Sequence, residues 1–425
     1  MTTPTPAPSD IDIDVLVIGA GIIGAMAACY LQRAGRSVVL LEREAVAAGA
    51  SAGNAGILAF PEITPMAAPD LLRKVPRWLA DPLGPLAIRP AYALRIAPWL
   101  WRFWRASQPQ AQARALAAQT ALMHLAQAEM AALMALPTLA PHFRQTGTLD
   151  LYDSAASLQA AQPAWAARAR AGFAFERIGR ADIERLQPGL APRFAHGYFS
   201  PAGTQIQEPR RFAEAIAELA RHHGAQVRHG TATHLAADAQ GATVTLADGQ
   251  RLRARAVVVA CGAWSRPLAA SLGDAVPLDT ERGYNTTLPL QAFELQRQLY
   301  FNDHAFVVTP LATGIRVGGA VELGGLTLPP NPARAQALLA KAGQFLPGLD
   351  TRGGQSWMGF RPSLPDSLPV IGHASRSRHV VYAFGHGHLG LTQSAGTARL
   401  VAELVGGQPP SIVLDAFSAT RFARH

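Results

Sequence analysis

"DIDVLVIGAGIIGAMAACYLQRAGRSVVLLER", residues 12–43, decides how the rest of the chain is read. Its apolar run Val15–Ile18 has the branched side chains of a buried strand, glycines follow at 19, 21 and 24, a helical stretch runs from Ile22 to Ala34, and a second strand, Val38–Leu41, ends at Glu42. Gly19 permits the tight turn, Gly21 lets backbone approach a pyrophosphate, and Gly24 lets the helix pack close to the sheet. The helix start offers unpaired N–H groups and a positive dipole end to phosphates. Glu42, eighteen residues beyond Gly24, stands where a carboxylate accepts hydrogen bonds from ribose hydroxyls and repels a 2′-phosphate. NADP is therefore disfavoured, and NAD and FAD remain. The same glycines break the apolar stretch into strand, turn and helix, which argues against a membrane span.

The chain has 425 residues, enough for two domains or one domain with a large insertion. A hydrophobic content of 49% with 16% charged residues describes an ordered globular protein, with only residues 1–10 expected to be loose. The net charge is +9, but the basic residues are mostly Arg and are scattered rather than clustered, so nucleic acid is not expected as a partner. Cys29 and Cys261 sit in apolar surroundings and read as small core residues, not as a metal or disulfide framework. With no signal-peptide pattern at the N-terminus, a reduced cytoplasmic location is expected.

A second glycine pattern, Gly385-x-Gly387-x-x-Gly390, lies in "VVYAFGHGHLGLTQSAGTARLVAELV", residues 380–405. An independent nucleotide unit there would need a further strand ending in an acid about 20 residues on. The closing residues, "PPSIVLDAFSATRFARH", supply none. The reading is one cofactor reached from both ends of the chain: a final strand, Val380–Phe384, and a last helix, Thr392–Val405, meet the ligand that the first unit holds. Of two middle segments, the first reads as a loop beside the ligand or as an ordinary surface loop, and the second completes the sheet. "GASAGNAGIL", residues 49–58, is small enough to pass close to a flat ring, and a hairpin turning at Asp248-Gly249 feeds a buried strand that ends in Cys261-Gly262.

Taken in order, GAGIIG, Ser51-x-x-Asn54-Ala55-Gly56, "VVVACGAWS", "ERGYN" (281–285), "WMGFRPSLPDSLPVIG" (357–372) and "FGHGHLGLT" (384–392) resemble the FAD-dependent amino-acid oxidoreductases related to D-amino acid oxidase and glycine oxidase, and above all bacterial D-amino acid dehydrogenase. The resemblance implies an α/β fold, with a Rossmann-like FAD-binding domain of three layers and an interleaved α+β substrate domain on an antiparallel sheet. The expected FAD-binding pieces are residues 1–66, 205–275 and 341–425; the substrate pieces are 67–204, with a helix-rich insert after 66, and 276–340. It implies non-covalent FAD held by Gly19, Gly21, Ile22, Ile23, Gly24, Glu42, Arg43, Ser51, Asn54, Ala55, Gly56, Ile57, Thr233, Cys261, Gly262, Trp264, Gly359, Arg361, Gly387, His388, Leu389, Gly390, Leu391 and Thr392. Thr233 stands where relatives often have Val, and Cys261 where they commonly have Ala.

Oxidation of an amino acid at Cα by hydride transfer to flavin N5 needs a neutral amine, a Cα–H aimed at N5 and a clamped carboxylate. The planar fork of Arg is the best clamp. Arg361 is expected there, because it matches the arginine that binds substrate carboxylate in glycine oxidase; the competing reading pairs Arg361 with Asp366 to hold a proline-rich loop. Tyr284 is a candidate active-site phenol or a core residue of the sheet. His388 is the third candidate catalytic residue, although backbone contact with the flavin over 388–392 is favoured over general-base work. No metal is expected from His386 and His388, which lack a carboxylate or Cys at ligand spacing. Residues 88–107 interleave Arg89, Arg95, Arg102 and Arg105 with Trp99, Trp101, Phe103 and Trp104; the favoured reading packs the aromatics under the substrate sheet, with peripheral membrane contact as the alternative. The expected substrate is a D-amino acid or a cyclic imino acid such as D-proline or cis-4-hydroxy-D-proline, with a quinone or electron-transfer acceptor. An O₂-using oxidase of glycine or N-alkyl amino acids, and a flavin-binding subunit without its own catalysis, are the alternatives.

Overall fold

The computed structural model describes residues 13–67, 84 and 86–423. The expectation of a loose segment at 1–10, and part of the helix-rich insert after 66, lie outside the described residues.

Val15, Leu16 and Val17 are fully buried, which is what a parallel strand covered on both faces requires. The strand Ile13–Ile18 accordingly sits between Val38–Glu42 and Arg251–Val259, parallel to both. Gln226–His229 extends the sheet beyond Val38–Glu42 in parallel, and Ser377–Phe384 runs parallel to the end of Arg251–Val259. Three antiparallel strands complete the eight: Ala232–Ala237, Ala242–Leu246 and Val370–Ala374. Gly249, at φ +87°, makes the expected turn into Arg251–Val259. The strand from the C-terminal end of the chain therefore lies beside strands from its beginning and middle.

The helix Ile22–Arg33 is buried on nearly every side because Pro209–His222 and Gly390–Val405 pack against it. Met26 and Leu31 are fully covered, each contributing about 1.5–3 kcal/mol of hydrophobic stabilisation. Gly24 is required here: a Cβ would lie 1.8 Å from the Gly19 carbonyl oxygen. The long helix Pro109–Met134 crosses Gly390–Val405 closely, and a Cβ on Gly396 would meet the Ala126 backbone at 2.9 Å. Met123, Ala126, Met130 and Leu133 thus join the core of the first sheet, which corrects the expectation that residues 67–204 belong wholly to the substrate half.

Among the described residues the second sheet has nine strands. Its main path runs Gln355–Ser363, Asp279–Leu288, Gly314–Leu323, Phe306–Leu311, Gln298–Phe301, Thr148–Tyr152, His196–Ser200 and Glu176–Gly179, with Leu86–Ile88 at the side of Gly314–Leu323. Two expectations are corrected. The sheet is mixed rather than antiparallel, since Gln298–Phe301 runs parallel to Thr148–Tyr152 and Leu86–Ile88 parallel to Gly314–Leu323. The boundary at 341 also fails: Gln355–Ser363 pairs along its length with Asp279–Leu288, and the helix Pro332–Phe345 buries Ala335, Leu338 and Phe345 in the core of this sheet. A small third sheet of Ile57–Leu58, Thr204–Ile206 and Phe143–Gln145 pairs with neither, although Leu58 and Ile206 pack in the core of the first.

Candidate active site

A cavity of about 830 Å³ runs from the glycine turn of the first sheet to the face of the second. At one end, Gly19 turns with φ +99° against Ala260, and a Cβ there would meet the Ala260 carbonyl oxygen at 2.6 Å. The helix Ile22–Arg33 has no capping side chain at Gly21 and no acid in its first turn; Ser51 Oγ, from the small-residue loop, accepts a hydrogen bond from Ile22 N at 2.9 Å. The Glu42 carboxylate accepts from Ala20 N at 2.7 Å, Arg43 N at 2.8 Å and Glu44 N at 3.0 Å, which fixes it at the end of its strand. The Arg43 guanidinium lies 3.9 Å from the centroid of the Trp264 ring, walling this end with a cation–π pair. Cys261 Sγ donates to the Ile18 carbonyl at 3.3 Å, and burial pushes its thiol up to about 12, so it is not a nucleophile.

The other end is made by alternation on facing strands. Glu281, Gly283 and Asn285 are paired with Arg361, Gly359 and Trp357, respectively, and all six border the cavity. The two opposed glycines leave room for large neighbours. A Cβ on Gly283 would sit 2.4 Å from an Arg361 guanidinium nitrogen, and one on Gly359 would sit 1.9 Å from the Trp357 ring. Arg361 Nη1 donates to the Ala320 carbonyl at 3.0 Å. Burial lowers its pKa and Glu281 opposes that shift. Asp366 is not its partner, being held instead by Arg421 at 2.7 Å. The reading of Arg361 as a loop anchor paired with Asp366 is thereby corrected.

Tyr284 is also corrected. Its backbone strand borders the cavity, but its ring belongs to the core behind the sheet, with Leu149, Val317 and Phe345. The hydroxyl donates to Glu322 Oε1 at 3.0 Å and accepts from Asn331 N at 3.0 Å. Tyr300 is the cavity-lining phenol instead; burial raises its pKa well above the ordinary value, helped by Glu62 and Asp150. His388 lines the cavity and is exposed there; desolvation by the cavity wall lowers its pKa, Glu62 and Glu281 oppose the shift and Arg361 adds to it, which favours the neutral imidazole. His386 is a structural residue, with Nε2 3.0 Å from Thr397 Oγ1.

Most of the expected cofactor contacts border this one cavity: Ile22, Ile23, Asn54, Ala55, Ile57, Thr233, Gly262, Gly387, Leu389, Gly390 and Leu391 join those already named. Three do not. Gly24 acts by helix packing. Gly56, at φ +73°, avoids the Ile206 carbonyl, which would lie 2.5 Å from a Cβ. Thr392 Oγ1 accepts from Ala59 N at 3.0 Å and so ties the last helix to the segment at 57–59. The sequence reading missed Glu62, Glu281, Tyr300 and Arg316. Glu281 was inside the quoted "ERGYN", and strand alternation from Gly283 would have selected it over Tyr284.

The fit to a bound FAD rests on this chain's own geometry. The cavity joins a helix start that carries no acid and donates one N–H to Ser51, and a fixed carboxylate, at one end to glycine-floored strands at the other. Asn285, whose Nδ2 donates to the Gly53 carbonyl at 2.7 Å, keeps a buried Oδ1 with no hydrogen-bond partner among the described residues. The family described as FAD dependent oxidoreductase matches residues 14–404. A D-amino-acid oxidase of Bradyrhizobium diazoefficiens is 35% identical over 96% of this chain and 98% of its own length. A D-amino acid dehydrogenase of Rhizobium johnstonii is 31% identical over 96% of this chain and 99% of its own. The chain belongs to the FAD dependent oxidoreductase family. Among solved structures, glycine oxidase from Geobacillus kaustophilus has a TM-score of 0.74 at 23% identity, covering 97% of this chain and 99% of that one, and L-proline dehydrogenase from P. horikoshii has 0.71 at 17%, covering 96% and 97%. Both share the FAD dependent oxidoreductase fold. In this family FAD is the cofactor, and the chain is an amino-acid oxidoreductase acting on CH–NH₂ or CH–NH bonds.

Proposed function

We propose that the protein oxidises D-amino acids or cyclic imino acids at Cα and passes the electrons to a quinone or electron-transfer acceptor. The observation that carries the reading is Arg361: a half-buried guanidinium that borders the cavity over Gly283, with Asp366 committed elsewhere. Its fork suits a carboxylate, and both relatives are named for D-amino acids.

Bound FAD supplies the acceptor for the hydride that leaves Cα. Arg361 holds the substrate carboxylate and fixes the orientation of Cα; such positioning is worth up to about 7–11 kcal/mol in well-oriented systems. His388, in its favoured neutral form, can accept or donate a hydrogen bond without adding charge beside the clamp. Apolar walls from Met66, Phe306, Val321 and Trp357 exclude water. The N-terminal part of the cavity holds the nucleotide through Gly19, Gly21, Ser51 and Glu42.

A second reading takes O₂ as the acceptor, and the oxidase named among the relatives favours it. Anaerobic mixing with D-amino acids, proline isomers and N-methylglycine, followed by admission of air, separates the two. The proposal expects bleaching of the flavin band with a D-amino or imino acid, slow reoxidation by air and fast turnover with a dye. Fast reoxidation by air supports the oxidase, and no bleaching across the panel contradicts both. Peripheral membrane contact through the helix Ala93–Ala106 belongs to the same proposal.

A further inference from the structure

Glu281 stands directly opposite Arg361 across two antiparallel strands, and opposed residues share a face. Both border the cavity, and the Arg361 guanidinium occupies the room that Gly283 leaves beside it. Glu281 is 6% exposed, and among the described residues its carboxylate accepts no hydrogen bond and closes no ion pair. The other acids around it are committed: Glu42 to three backbone N–H groups, Glu62 to Arg168 at 3.1 Å, and Glu322 to Arg282 at 3.3 Å and Tyr284. Glu281 and Arg361 interact across the pair, the carboxylate opposing the fall in the Arg361 pKa, and a carboxylate in the cavity wall that closes no ion pair of its own points to a cation that arrives from solution. Arg361 donates to the Ala320 carbonyl, which leaves the rest of its fork facing the cavity without a hydrogen bond among the described residues.

We propose that Glu281 receives the α-amino group of the substrate whose α-carboxylate Arg361 holds. An α-amino acid carries its ammonium and carboxylate on the same carbon, and the facing pair presents the complementary charges at directly opposed positions. The step assigned to Glu281 is one proton transfer: an N–H bond of the ammonium breaks, its electron pair stays on nitrogen, and an O–H bond forms on the carboxylate. The neutral amine left behind is the form from which hydride departs. The inference rests on the clamp reading of Arg361 and extends it to the second functional group of the substrate. It assigns this end of the cavity to a primary or secondary amine, and excludes 2-hydroxy acids as good ligands.

The test uses the FAD-loaded full chain and two ligands of the same shape that lack a Cα–H, 2-aminoisobutyrate and 2-hydroxyisobutyrate, with binding read from perturbation of the flavin visible band. The expected result is that E281Q weakens 2-aminoisobutyrate by about tenfold or more while 2-hydroxyisobutyrate changes by less than about twofold. Equal weakening of both ligands, or of neither, overturns the assignment. Should E281Q shed FAD, E281D carries the same comparison: selective loss of the amino ligand supports the proposal and parallel loss overturns it. Wild-type protein that binds neither ligand removes the Arg361 clamp and Glu281 with it, whereas binding of the hydroxy acid with no preference for the amine removes only Glu281.

Discussion

Arg361 and Tyr284 show how neighbouring strands assign roles that a single strand does not disclose. Both were candidates from short motifs, but pairing of Glu281 with Arg361 and of Gly283 with Gly359 sets the cavity face, and Tyr284 falls on the other. Tyr284→Phe is therefore expected to cost about 1–3 kcal/mol of stability, read by urea unfolding, because Glu322 and Asn331 N lose a shared hydroxyl, while the substrate KM stays near wild type. A large rise in KM with unchanged stability would return the phenol to the active site. His386 makes a pH prediction. Burial depresses its pKa to about 3, so the unfolded chain takes a proton below about pH 6.5 that the folded chain refuses. Stability from this group is complete above that value and is lost as pH falls, by about 2 kcal/mol between pH 7 and pH 5. Urea unfolding of wild type and His386→Gln at both pH values checks it: the variant should show a smaller loss on acidification, and an equal loss would contradict the buried neutral imidazole.

At the scale of elements, the first strand, glycine turn and helix were legible because their rules are local. Gly19 needs a positive φ, Gly24 needs contact with Gly19, and the two meet within one turn of helix. Gly385 and Gly387, at φ +89° and +56°, likewise carry the chain from the strand Ser377–Phe384 to the last helix, which begins at Gly390 rather than Thr392. The second sheet was not legible to the same depth. Its strands were visible as apolar runs, but register depends on the partner, and the pairing with Gly314–Leu323 shifts between Arg282 and Tyr284. The helix Ala93–Ala106 divides the expectation placed on it: Trp99 is buried and stacks on Phe103 at 5.4 Å, while Leu94, Trp101 and Trp104 are exposed, the last two at 54% and 53%. Exposed Arg95 and Arg105 flank them. Sedimentation with anionic lipid vesicles is expected to carry down the wild type, and W101S/W104S is expected to remain in the supernatant with its FAD and activity intact. Equal partitioning of both proteins would assign these side chains no role at a lipid surface.

For the whole molecule, the order of segments along the chain is less informative than the cavity they enclose. Strands from residues 13–42, 251–259 and 377–384 build one side, and strands from 279–288, 314–323 and 355–363 build the other. The two glycine patterns, far apart in sequence, border the same space. That convergence was readable from the missing second nucleotide unit, whereas the limits of the substrate half were not, because Gln355–Ser363 crosses to the second sheet inside a stretch whose flanks serve the first. Among the described residues no helix is long and apolar enough to cross a membrane, and no group of His, Cys, Asp and Glu side chains gathers to hold a metal ion.

The account turns on whether Arg361 grips a carboxylate beside the bound flavin. Titration of FAD-loaded Arg361→Ala with 2-aminoisobutyrate, followed in the flavin visible band, addresses it directly. The account predicts an unchanged yellow spectrum and binding weakened by about 100-fold or more. Wild-type affinity in the variant would contradict it.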